Sequence, residues 1–316
     1  MSNITITSKL MQRFCKDCNL PINLFLMPHF TSRLTLYDKY YNCCQKWSTF
    51  LSELDAYDTE QDYFEDYNRI KDAAINDIKA TNAYQQFNST DMNQFAVTHK
   101  NLPSKDIFKP SFDGKSFISV DMKKANFSAL RNYNPDIFDG AETWTDFLRK
   151  YTSNTHILHS KYIRQVILGN CNPKRHITYE KYLMDDILTY LLEVINIDKI
   201  VFFSNDEIVF DVSEYNINER EKLLVDLSVI TENLDIPLRT ELFDLHAIPG
   251  TNGYFKDNYQ NNTIEFKCLD SHMLPFVIRA INKEPIEPED KLFIHEGLLS
   301  QFVETPKISI PKRRYP

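Results

Sequence analysis

The sequence predicts an α+β fold in which a helical N-terminal domain precedes a sheet of βαββαβ order carrying extra helices in its first crossover. Three observations carry this. Apolar and aromatic residues recur at helical spacing up to about residue 98. Pro103, Pro110 and Gly114 then punctuate a linker. Beyond it, short apolar runs alternate with helical patterns, and two of those runs are separated only by Ser204-Asn205-Asp206-Glu207, a hairpin signal.

The elements follow in order. Leu34, Tyr37, Tyr40, Tyr41, Trp47, Phe50, Leu51 and Leu54, then Tyr63, Tyr67, Ile70, Ala74 and Ile78, form stripes that read as helix cores rather than base-stacking platforms. The linker sets the boundary between domains at 1–110 and 111–248, with a C-terminal extension at 249–316. Phe117-Ile118-Ser119-Val120 is a strand ending at Asp121. A helix follows through Ala125, Phe127, Leu130 and Tyr133, stopped by Asn134-Pro135. Asn154 or Thr155 caps another that runs to Leu168, closed by Gly169-Asn170 and Pro173, and a third covers Tyr179–Ile195. Strands at Ile200–Phe203 and Ile208–Val212, a helix at Glu219–Leu234 and a strand at Leu238–Ile248 complete the ferredoxin-like order. Gly253–Lys256 and Glu265–Lys267 read as a further hairpin. Many unrelated proteins share this order, so it says little about function.

Composition narrows the classes. Among 316 residues, 42% are hydrophobic and 25% charged, enough for a proper core. With only six glycines, a phosphate-cradling P-loop or a dinucleotide fingerprint is excluded. No apolar run approaches the ~20 residues of a membrane helix, and Met1–Leu10 lacks the form of a secretory signal, so a cytoplasmic protein with no membrane partner is expected. The six cysteines then read as reduced thiols. Cys15, Cys18, Cys43 and Cys44 offer thiolates for Zn²⁺, but adjacent cysteines rarely share one ion, and buried or half-buried thiols are the expectation.

The chemistry rests on where the acids fall. Asp121 ends the first strand, and Asp206 and Glu207 occupy the hairpin turn; in a βαββαβ sheet these places are neighbours. Carboxylates there suit a pair of Mg²⁺ (or Mn²⁺) ions about 4 Å apart, one at an attacking hydroxyl and one at a departing pyrophosphate. Singly, each is an ordinary cap or turn residue; their joint placement points to catalysis. The formal charge of −8 runs against phosphate binding, so a local basic cluster has to supply it: Lys161, Arg164, Lys174, Arg175 and Lys181. Lys312-Arg313-Arg314 reads as a solvated tail.

Ser204-Asn205-Asp206-Glu207-Ile208-Val209-Phe210-Asp211-Val212 resembles the C motif of family A DNA polymerases. Ser119-Val120-Asp121 with Asn126-Phe127 and Leu130-Arg131 resembles their A motif, and Lys161, Arg164, Leu168 and Gly169 their fingers helix. The resemblance implies a palm at 111–248 with reduced fingers (about 140–196), acting on nucleoside triphosphates and a nucleic-acid template and primer, as in DNA replication. It implies Asp121 and Asp206 as metal ligands with Glu207 supporting them. Arg164 and Lys161 would meet the nucleotide's phosphates, and Asn126 stands where the sugar is selected. This chain departs from the pattern at Asn205, where the family has histidine, and at Leu168, where it has a stacking aromatic. Asp121 and Asp206 are also closer in sequence than in that family, nearer to reverse transcriptases. The tRNA-histidine guanylyltransferase family, with a similar Ser-Asp-Glu turn, and an inactive palm-derived nucleic-acid-binding protein are the rival readings.

Further residues are weighed beside these. His156 and His159 read as partly exposed histidines on the helix before Lys161. Asn170-Cys171-Asn172-Pro173-Lys174-Arg175 is a polar, basic loop positioned to grip template or triphosphate, or a plain connection. Lys256 and Lys267 either protonate pyrophosphate or solvate a sheet edge. His295-Glu296 lacks the second histidine of a metalloprotease motif.

Overall fold

The computed structural model describes residues 4–258 and 260–311. Five helices come first: α1 (Ser8–Cys18), α2 (His29–Tyr41), α3 (Cys43–Leu54), α4 (Glu60–Ala80) and α5 (Asn82–Ser89). Their ends follow local chemistry. Asn19 and Asn42, in the left-handed conformation that asparagine tolerates, terminate α1 and α2. Thr59 and Asp62 close a capping box on α4.

The sheet-bearing part runs β1 (Ser116–Met122), α6 (Ala125–Tyr133), α7 (Trp144–Leu148), α8 (Thr155–His159), α9 (Lys161–Gly169), α10 (Pro173–Leu191), β2 (Ile200–Phe203), β3 (Glu207–Asp211), α11 (Ile217–Glu232) and β4 (Leu238–Ala247). β5 (Tyr254–Asn258), β6 (Thr263–Lys267), α12 (Leu274–Asn282), β7 (Leu292–His295) and β8 (Leu298–Gln301) follow. One six-stranded sheet has the order β2-β3-β1-β4-β5-β6, every pair antiparallel; β7 and β8 form a separate hairpin. The molecule is therefore mixed α+β. Among the described residues no helix is long and apolar enough to cross a membrane.

Two local expectations fail for identifiable reasons. The helix expected from 154 to 168 breaks at Ser160, whose hydroxyl accepts from Ile163 N–H at 3.0 Å as the cap of α9 and donates to Asp17 at 2.7 Å. The segment after Gly169 is a loop only to Asn172, because Pro173 takes the first turn of α10, where its missing N–H costs nothing.

Strand alternation gives the sheet two unlike faces. Ile118, Val120, Met122, Ile208, Phe210 and Leu242 point to the helices and join one apolar core extending from Ile4 to Ile278, which crosses the 103–114 linker. On the other face, Phe117, Val209, Phe243, Leu245 and Tyr254 are covered by the linker itself through Ile107, Phe108 and Phe112. Nearer the Asp121 end this face turns polar. Asp121 sits opposite Glu207 and Arg239, with Glu241, Lys256, Glu265 and Lys267 beyond.

Candidate active site

The hairpin turn and the end of β1 are locked together by backbone and one hydroxyl. Met122 N–H donates to the Asp206 carbonyl at 2.8 Å, carrying the β1–β3 ladder into the turn. Ser204 Oγ donates to Asp206 Oδ1 at 2.9 Å and accepts from the N–H groups of Asp206 (3.2 Å) and Glu207 (2.9 Å). Asp121 and Asp206 thus adjoin, and both line a cavity of about 570 Å³.

Three helices form the opposite wall: Lys124, Ala125 and Asn126 at the start of α6, Lys161, Arg164, Gln165 and Leu168 on α9, and His176, Ile177 and Glu180 on α10. Arg239 and Lys267 complete the sheet side. Lys124 holds a left-handed backbone (φ 51°), a conformation that costs free energy for a lysine and concentrates at functional sites. Lys124, Lys161 and Arg164 form no ion pair within 4 Å among the described residues. Burial and the neighbouring Arg164 push the Lys124 ammonium down, and burial does the same to Arg164. Acids face unneutralised cations across one space.

The acids are tuned by position. Burial pushes Asp121 up, Arg239 at 3.3 Å pulls it down, and Asp206 pushes it up again. Burial raises Glu207, opposed by Lys256, whose Nζ passes 4.1 Å above the Phe243 ring to reach within 3.8 Å of the carboxylate. Glu180, only 4% exposed, is pushed up to about 7 by burial, less a contribution from Asn205, which donates to it at 2.5 Å, plus one from Asp206. Sequence reasoning missed Glu180. Its signal was an acid on the apolar stripe of α10, among His176, Tyr179, Leu183 and Ile187.

Other expected residues lie elsewhere. Phe127 is 4% exposed and packs on Phe138 and Trp144, because it follows Asn126 on α6 and so points into the core. Lys174 is exposed and outside the cavity lining. Arg175 is spent on the backbone carbonyls of Phe87 and Thr90, and Lys181 lies over the Phe203 ring at 4.7 Å. Of the expected cluster, Lys161 and Arg164 line the cavity, and Lys124 joins them in place of Lys174, Arg175 and Lys181. His156, expected half-exposed, is buried against Phe14 and Phe50 and bonded to Asp17 at 3.1 Å; His159 is exposed. Lys312, Arg313 and Arg314 lie outside the described residues.

Of the four N-terminal cysteines, Cys43 and Cys44 approach Asp38 closely enough for three ligand atoms to lie within 4.8 Å of one another. The Asp38 carboxylate already accepts the Cys44 N–H at 2.7 Å, and the Cys43 thiol donates to the Leu34 carbonyl at 3.1 Å. Burial pushes both thiols up, the opposite of what a thiolate ligand needs. His295-Glu296 falls at the β7–β8 turn, not on a helix.

No family model, curated protein or solved structure matches this chain.

Proposed function

We propose that the protein is a template-dependent nucleotidyltransferase that joins nucleoside triphosphates on a nucleic-acid template and primer. The single observation that carries this is the pairing of Asp121 and Asp206 on one wall of a cavity with unpaired Lys124, Lys161 and Arg164 on the other. A ligand that brings its own cations to the acids and its own anions to the bases satisfies both walls, and a metal-bound triphosphate is such a ligand. The strand order β2-β3-β1-β4, with helices between β1 and β2 and between β3 and β4, supports a ferredoxin-like palm.

The donor set suits Mg²⁺ or Mn²⁺, since Asp121 and Asp206 offer hard carboxylate oxygens, while the imidazole that lines the cavity, His176, is buried on the opposite, helical wall. Bound there, the metal supplies Lewis acidity to the primer hydroxyl and the phosphates. The chain does the rest. Lys161 and Arg164 bind and orient the triphosphate, Lys124 and Asn126 stand beside the sugar-bearing end, and Ile177 gives the base an apolar wall. Arg239 favours the ionised form of Asp121 against its burial, and Lys256 does so for Glu207. Lys267, on the cavity wall, is the better placed of the two hairpin lysines to give a proton to pyrophosphate.

One observation favours an inactive, binding-only descendant. Arg239 and Lys256 already neutralise Asp121 and Glu207 within the protein, so the acids survive without metal. Labelled nucleotide addition to a primed template, with Mg²⁺ or Mn²⁺, separates the two. Wild type should incorporate, and Asp206→Asn should lose at least about 10³-fold, the scale of several kcal/mol of metal-assisted stabilisation, while keeping its fold. Incorporation that survived the substitution would place the chemistry elsewhere, and a wild type inert on every primed template would leave the binding protein.

A further inference from the structure

A second groove, of about 600 Å³, opens beside the cavity. It is walled by α1 and the chain after it, the end of α2, the outer side of α9 and strand β6. Gln165 lines both spaces, and Lys161 of the cavity is followed in sequence by Tyr162 of the groove, so α9 is a partition with a different lining on each side.

The groove's chemistry is unlike the rest of the surface. Although 44 residues of the chain are Asp or Glu, none lines it. Tyr41, whose stripe the sequence assigns to a helix core, is half-buried at the groove, and with the half-buried Tyr162 and Phe266 it brings a ring to its wall. Gln12, Asn23 and Gln165 add amides, which both donate and accept, and Lys16, exposed on the last turn of α1, is the one cation. Rings stack on nucleobases of any identity, amides meet base edges, and a sparse positive charge tracks a backbone; a carboxylate would repel it.

Resting on the nucleotidyltransferase reading, we propose that this groove holds unpaired nucleotides of the template strand next to the pair being copied in the cavity. The occupant is single-stranded, since bases closed in a duplex offer no face to Tyr41 or Phe266. Continuity with the cavity across Gln165 fixes where that strand leads. With a single lysine in the groove, its grip depends mostly on stacking and little on salt.

The test uses the full chain and a fluorescein-labelled 20-nucleotide oligothymidine, measured by anisotropy against a blunt duplex of equal length. Tyr41→Leu with Phe266→Leu should weaken single-strand binding at least about thirtyfold, from two lost base stacks, and leave duplex binding unchanged. Lys16→Ala should reduce the slope of log affinity against log salt by about 0.7. Asp206→Asn should bind the single strand as wild type does, which separates this groove from the catalytic reading. Because the double variant is able to fail through misfolding, 4-thiothymidine oligonucleotides are also cross-linked to wild type. Adducts on peptides bearing Tyr41, Tyr162 or Phe266 support the groove. Adducts confined to other peptides, or undiminished single-strand binding by a folded double variant, overturn it. Either result leaves nucleotide incorporation to be judged by its own assay.

Discussion

Helix α9 meets two polar clusters along its N-terminal half, and the two are built on opposite terms. At its N-terminus, Asp17 is 1% exposed and its carboxylate accepts from Tyr67 (2.8 Å), Ser160 (2.7 Å) and His156 (3.1 Å). Arg13 lies nearby between the Tyr67 and Tyr162 rings, 4.7 and 4.8 Å from their centroids. In its first turn, Lys161 and Arg164 face Asp121, Asp206 and Glu180 across the cavity, with no ion pair to them among the described residues. The first cluster contains serine, histidine and aspartate and looks catalytic in composition. Yet the serine and histidine both spend themselves on the aspartate, so neither activates the other. Saturated polar groups hold a structure together; unsaturated ones wait for a ligand.

That contrast breaks first at Asp17. Asp17→Ala leaves three donors unpaired in a closed interior, which should cost about 3–5 kcal/mol of stability, the scale for losing one partner of a buried charged cluster. Chemical denaturation checks it. Per-molecule nucleotide incorporation by the fraction that stays folded should change little. A stable Asp17→Ala protein with altered activity would mean that this cluster, too, serves the chemistry.

The same contrast explains what the sequence could tell. Asp121, Asp206 and Glu207 were legible because a strand end and a hairpin turn are local events, set by alternation and turn residues within a few positions. The antiparallel strands and the N-terminal helices were legible for that reason as well. The break at Ser160 was not, because its partner Asp17 lies 143 positions away. Arg175 read as a phosphate ligand, but two carbonyls from α5 and the turn after it claim it, and no local pattern announces that capture. Asn126 and Phe127 are adjacent, so a helix must send them to different surroundings; the pair was read as a unit. Lys124 gave no signal at all, since its role follows from the left-handed turn that starts α6.

Glu180 sharpens the comparison, being buried like Asp17 but with a single donor from Asn205. Its folded carboxyl, pushed up to about 7 against an ordinary value of 4.5, keeps a proton that the unfolded chain releases. The folded state therefore binds more protons between pH 4.5 and 7, and stability falls as pH rises through that window. Integrated over the shift, the loss is about 3 kcal/mol. Glu180→Gln has no such proton. The stability of the variant relative to wild type should rise by about that amount from pH 4.5 to pH 8, measured by denaturation without divalent cations. Parallel pH profiles would show that Glu180 ionises freely and that the cavity is wetter than its packing indicates.

The smallest effect is the sharpest test, because it compares two arginines. Arg33 is 6% exposed, pairs with Asp290 at 3.3 Å and donates to the carbonyls of Glu289, Asp290 and Leu292 at 2.8, 3.1 and 2.9 Å. Arg164 is half-buried, its Nε has no partner, and it repels the like-charged Lys124. Arg33→Ala removes a saturated group and should destabilise. Arg164→Ala removes a cation that burial and Lys124 both disfavour, so folding stability should hold or rise slightly. What it should lose is triphosphate: a charge-assisted hydrogen bond is worth about 1.5–3 kcal/mol, so nucleotide affinity should fall about ten- to a hundredfold. Titration of a nucleoside triphosphate with Mg²⁺ into both variants, beside their denaturation midpoints, reads all four quantities. If Arg164→Ala lowered stability and left nucleotide affinity intact, Arg164 would belong with Arg33, and the open wall of the cavity would be scaffold.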